Sequence, residues 1–281
     1  MPLRRRSFGL FMASRVGANR IAGLNPRGAL ATVHITFRVP RSVLTWALLG
    51  TLIRAVSVYV MVGVWRAVAA AGTIDMGTYN YLASYTLIAA AVGGLMSPRT
   101  SMSEHIASGS LAVRMMWPIR PTVLFSMEWI GPVIWRVFMN VVAMLIVGST
   151  LSVSFPPIIR LPLFAASLGL AAAVGLYIDF AFALLTMNLN NGVWFVESIR
   201  SAVTALVSGA VIPLHFIPWG LGDAFKWLPF AATAAAPLEV YLGGRAPLQL
   251  ILFQTAWAVV GTISLTAAWR FTSTKLMAAG G

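Results

Sequence analysis

The side chains able to do acid, base or metal chemistry are few: seven carboxylates, three histidines and no cysteine in 281 residues. His34, His105 and His215 are too scattered to make a metal motif, and a chain without cysteine has neither disulfides nor thiolate ligands. Neither Lys226 nor Lys275 stands in the G-x-x-x-x-G-K-[ST] loop that cradles a nucleotide's phosphates, and H-E-x-x-H and G-x-S-x-G are missing too. The expectation is a chain that is not an enzyme and holds no cofactor or metal of its own. Any nucleotide that drives it must be hydrolysed on a separate subunit. What remains are charges in unusual company: Arg54, Glu128, Arg136 and Asp179 each interrupt a long apolar stretch, where an unpaired charge is disfavoured. Glu128 and Arg136 fall on roughly one face of a helix. Two readings stay open. These four charges form a buried network that orients helices, or Arg54 or Asp179 lines a cavity and contacts the polar headgroup of a substrate.

The elements that must carry these residues follow from composition. With 59% hydrophobic and 10% charged residues, a water-soluble fold would lack polar groups to cover its surface, so the surplus apolar surface must face lipid. A helix crossing the hydrocarbon core needs about 20 apolar residues. The sequence offers Val43 to Trp65, Tyr79 to Met96, Val123 to Leu151, Leu161 to Met187, a short stretch from Ser198 to Pro213, and Leu248 to Trp269. The expected fold is an all-α integral membrane protein of six transmembrane helices spread over 42–275, preceded by a basic arm and interfacial segment at 1–41.

The net charge of +13 would in a soluble protein point to nucleic acid. Its distribution points to a membrane surface instead. Arg4, Arg5, Arg6, Arg15, Arg20, Arg27, Arg38 and Arg41 all precede the first span, and Arg99, Arg114 and Arg120 share the loop at 98–121. Six crossings with both termini inside collect these, with Arg200, Arg270 and Lys275, on the cytoplasmic face and leave Arg66, Arg160, Lys226 and Arg245 outside. Gly28 to Arg41 reads either as an amphipathic segment in the interface or as an ordinary basic flank. The arm reaches Arg15 and Arg20 before any apolar run attains the length of a signal peptide's core. The excess of arginine over lysine and the abundant alanine suit a GC-rich bacterial genome, hence a multi-pass protein of the bacterial plasma membrane.

Two segments are more informative than the spans. In 101–121, Ile106, Leu111 and Val113 alternate with polar residues around Gly109, so a short amphipathic helix could seat its apolar face in a groove on another protein or rest on lipid headgroups. Between 213 and 247 the chain is apolar but broken repeatedly by proline, which suits short helices dipping into the outer leaflet. Phe216, Trp219, Phe225, Trp227 and Phe230 fit an interfacial aromatic belt there.

At these two segments the sequence resembles the ABC-2 type permeases, over about residues 28–275. Glu104, Ile106, Ser108, Gly109, Leu111 and Pro118 are similar to that family's loop between spans two and three, with Trp117 standing where an arginine commonly precedes the proline. Ser208, Gly209, Pro213, Leu214, Ile217, Pro218, Leu228, Pro229, Phe230, Pro237, Leu242 and Gly243 are similar, in order, to the end of its fifth span and the external segment that follows.

The resemblance implies an exporter core of two permease chains, alike or different, with two cytoplasmic ABC ATPase subunits that bind ATP and Mg. It makes 101–114, His105 included, the coupling helix that receives the ATPase movement, and the external segment a re-entrant lid bearing Pro213, Phe216, Pro218, Trp219, Leu228, Pro229 and Phe230. The expected cargo is an amphipathic or lipid-like compound, whether drug, antibiotic or glycolipid. Two other classes compete: a proton-coupled secondary carrier, for which Asp179 would be the titrating group, and a non-transporting membrane assembly protein. Membrane lipid is a partner in every case, and nucleic acid in none.

Overall fold

The chain's long apolar runs become long helices, and its Pro- and Gly-rich segments become short ones. A computed structural model describes residues 32–33, 41–117, 119–153, 156–186 and 192–279, with side chains described from 44 to 269. The arm and interfacial segment at 1–40, apart from 32–33, and Pro118 lie outside the described residues. Among the described residues the α-helices are α1 (Arg41–Ala70), α2 (Met76–Met96), α3 (Met102–Ala107), α4 (Leu111–Arg114), α5 (Pro121–Thr150), α6 (Leu161–Thr186), α7 (Val193–Val207), α8 (Leu221–Phe225), α9 (Pro229–Thr233), α10 (Ala235–Leu242) and α11 (Pro247–Ala279). One-turn 3-10 helices precede α6 and α8.

Four stretches are long and apolar enough to cross a membrane: Leu44–Ala70, Pro121–Thr150, Ile158–Thr186 and Pro247–Trp269. The molecule is therefore a helical membrane protein. α2 has 21 residues and reaches about 31 Å, the length of a crossing, but it is less apolar because its polar groups face protein. Tyr85 is buried and donates to the Gly209 carbonyl, and the Thr86 hydroxyl accepts the Trp65 indole N–H at 3.2 Å. The helix starts before Tyr79 because Asp75 caps it, accepting from the Gly77 and Thr78 amides at 2.9 and 3.3 Å.

The expected fifth span differs more. Its helix starts at Val193 and stops at Val207 after 15 residues, about 22 Å, short of the ~30 Å hydrocarbon core. The chain then turns at Ser208 and Gly209, whose φ of +77° suits glycine. The turn is held by Tyr85 and by the Ala235 amide donating to the Ser208 carbonyl at 2.9 Å.

The core lies between α2 and α6, and α1 and α11 are peripheral. α2 packs on α1, α5, α6 and α10, while α6 packs on α11, α10, α9 and α3. Val58 and Val62 of α1, Leu87 and Ile88 of α2, Met144 and Val147 of α5 and Phe164 of α6 meet in one apolar cluster. The segment 213–247 completes this core: Ala231 to Val240 are buried, and Phe164 stacks on Tyr241 with centroids 4.5 Å apart. Gln254 of α11, fully buried, accepts from the Ser167 hydroxyl at 2.7 Å and donates to the Ala232 and Ser167 carbonyls at 2.8 and 3.1 Å.

Candidate functional site

The segment joining α2 to α5 is short of regular structure yet firmly held. Gly109, at φ +72°, divides it into the six residues of α3 and the four of α4, so the single amphipathic helix expected there is two. The Ser108 amide closes α3 on the Glu104 carbonyl at 2.9 Å. The His105 Nδ1 and Ser110 hydroxyl lie 2.6 Å apart across the break, and Ser108 Oγ sits 2.8 Å from Ser110 Oγ.

Its apolar face is turned inward, against the expectation of an apolar face offered to a partner. Met102 and Leu111 are buried and pack with Phe125 of α5 and Phe180, Ala183 and Leu184 of α6, with Ile106 half-buried beside them. Burying Leu111 within its own chain leaves nothing of it for another protein. What faces outward is Glu104, Ser108 and Gly109, followed by Val113, Met116 and Trp117, the last three 57%, 77% and 52% exposed.

Two polar clasps fasten the segment. At its start, Asp179 Oδ2 accepts from the Thr100 amide at 3.0 Å and the Thr100 hydroxyl at 2.6 Å. Arg200 of α7, 2% exposed, lies 3.7 Å from Asp179 Oδ1, donates to the Pro98 carbonyl at 3.1 Å and pairs with Glu197 at 2.8 Å. Ser103 donates to Glu197 at 3.4 Å. Gly175, one turn before Asp179, lets the strap cross α6: a Cβ there would stand 2.4 Å from the Pro98 ring. At the other end, Arg114 pairs with Glu128 of α5 and stands 5.0 Å over the Phe125 ring.

The network expected among Arg54, Glu128, Arg136 and Asp179 is therefore not formed. Glu128 is taken by Arg114 and Asp179 by Thr100 and Arg200, while Arg54 and Arg136 are exposed on α1 and α5. Asp179 is buried and engaged rather than lining a cavity. Glu197, and the burial of Arg200, which counts in sequence among the cytoplasmic basic residues, are what sequence reasoning missed. Their signal lay in spacing, since Glu197 and Arg200 stand three residues apart, the separation of an ion pair on one helix face.

The residues of segment 213–247 sit apart from this site. Pro213 is buried; Phe216, Pro218, Trp219 and Leu228 are exposed, and Phe230 is half-buried. Pro229 opens α9 at its first turn. Gly222 is demanded by the fold, because a Cβ would fall 1.9 Å from the Leu214 carbonyl oxygen. Among the described residues no group of histidine, aspartate and glutamate side chains could hold a metal ion.

Four helices able to cross a membrane and a clasped loop define a polytopic helical membrane protein. The chain belongs to the ABC-2 transporter family: the profile described as ABC-2 family transporter protein matches residues 73–280. Members of this family are transmembrane subunits of ABC transporters rather than ATPases, and work with ABC ATPase partners. No curated protein matches the chain.

Proposed function

We propose that this chain is the permease of an ATP-driven exporter, and that the segment 101–117 is where a cytoplasmic ABC ATPase docks. The supporting observation is the double clasp. A loop tied to α6 and α7 through Asp179 and Arg200, and to α5 through Arg114 and Glu128, moves as a unit with three helices. A push on its outward residues, Glu104, Ser108, Gly109, Met116 and Trp117, is passed to those helices instead of being absorbed in a slack loop. Family membership supports the partner, and the absence of a P-loop from the sequence supports hydrolysis on that partner, which binds ATP and Mg.

In this reading six crossings, with α2 and the α7 region joining the four long apolar helices, place both termini and 98–121 in the cytoplasm of a bacterial plasma membrane. The segment 213–247 forms the external lid. Two permease chains, alike or different, enclose the path of an amphipathic or lipid-like compound. The test is purification of the full chain from its own membranes in mild detergent. A co-eluting subunit that hydrolyses ATP is the expected result, and transport by the purified chain alone on a pH gradient would favour a secondary carrier.

A further inference from the structure

Arg54 and Arg136 lie near the middles of α1 and α5, both 30-residue helices that pack on one another. Arg54 is seated on α2: its Nη1 donates to the Ala90 carbonyl at 3.4 Å, and a Cβ at Gly93 would stand 2.9 Å from that nitrogen. Arg136 has no carboxylate beside it. One turn from each, Thr51 donates to the buried Asn140 at 3.0 Å, so a polar seam runs between two apolar helices.

Two cations at this depth need a counter-charge, and the chain has none to give. All seven carboxylates are among the described residues. Glu128 is paired with Arg114, Asp179 and Glu197 with Arg200, Asp223 with Lys226, and Glu239 with Arg245. Asp75 caps α2, and Glu104 lies on the loop. A second copy of this chain therefore brings no spare acid to mid-span. Around the pair the surface is apolar and open, with Leu52, Ile53, Val56, Ile134 and Phe138 each about half exposed or more.

We propose that Arg54 and Arg136 bind the anionic headgroup, phosphate or carboxylate, of an amphiphile that enters from the surrounding lipid, its acyl chain lying along those apolar side chains. Charge-assisted hydrogen bonds from two guanidinium groups suit such a headgroup. As an assignment of cargo class this rests on the exporter reading; as a binding site it does not.

The test uses the full chain in phosphatidylcholine nanodiscs, reading energy transfer from tryptophan to a dansyl lipid. The wild type is expected to prefer dansyl-phosphatidylglycerol over dansyl-phosphatidylcholine about fivefold or more. R54Q/R136Q should bring that ratio within about twofold, while R54K/R136K and R66Q should keep it. No preference in the wild type, or an unchanged preference in R54Q/R136Q, overturns the proposal. Should R54Q/R136Q fail to fold, competition on the wild type decides: displacement by dodecyl phosphate but not by dodecyl maltoside supports the site, and equal displacement by both overturns it. With an ATPase subunit bound, ATP-dependent movement of the bound lipid marks it as cargo and retention marks it as a resident lipid, either of which supports the site. Loss of the lipid preference leaves ATPase co-elution untouched, and failure of co-elution leaves the preference untouched.

Discussion

Asp179 of α6 accepts two hydrogen bonds from Thr100, at 2.6 and 3.0 Å, across 79 residues of sequence. The contact fixes the start of the loop to α6, the most buried of the four long apolar helices, and Arg200 closes it from the other side. The carboxylate and the guanidinium are both almost fully buried, and Arg200, which also pairs with Glu197, is the cation that compensates Asp179.

Replacing Arg200 by Met strands Asp179 with hydrogen bonds from Thr100 alone. Removing one partner of a buried pair costs about 3–5 kcal/mol. The melting temperature of R200M in detergent should fall clearly, and D179N/R200M should recover part of the loss because no buried charge is then unmatched. A double variant as unstable as the sum of its single changes would show that the two residues act independently.

Gly175→Ala places a methyl group against the Pro98 ring. The ring must move, at a cost of about 1–3 kcal/mol, which thermal unfolding would register. Gly169, on the same helix with open space where a Cβ would sit, is the control: G169A should be neutral or slightly stabilising.

The Arg114 and Glu128 clasp makes a different prediction, because both side chains are about a quarter exposed. Such a pair contributes about 0–1 kcal/mol, so E128Q should melt close to the wild type. Its effect should appear in coupling: basal ATP hydrolysis by the bound subunit is retained, while stimulation by cargo is reduced. Restored stimulation in R114E/E128R would tie the effect to the pair.

Asp75 gives a pH dependence whose sign is fixed by its bonds. The Thr78 hydroxyl, then the Thr78 and Gly77 amides, hold its carboxyl below the ordinary value of about 3.9. A depressed acid contributes stability that is full above its unfolded value and lost as pH falls through the folded one. Amide exchange at Gly77 and Thr78 should quicken relative to D75N as pH falls below about 4, and match it in pH trend above.

Much of the bundle was legible because the pattern that selects a crossing, an unbroken apolar run, is local. Pro121, Pro157 and Pro247 each stand at or beside a helix start, where proline's fixed φ and missing N–H are tolerated. Charge partnerships were not legible, because they depend on which helices touch. Glu128 and Arg136 share a helix face, yet Glu128 turns to Arg114, which the loop brings back over Phe125. Arg200 counts in sequence only as one of the basic residues assigned to the cytoplasmic face, and only the packing of α7 against α6 buries it. Leu111 misled for the same reason: an apolar face on a short loop helix does not reveal whether its groove belongs to another protein or to its own chain.

The proposal that 101–117 receives an ATPase is tested most directly by crosslinking in native membranes. A photo-reactive phenylalanine replaces exposed Trp117 on the loop, or exposed Trp227 at the far end of the bundle. Illumination should join the chain to an ATP-binding subunit from position 117 and not from 227. An adduct from 227 alone, or none from 117 while such a subunit co-elutes with the chain, would contradict it.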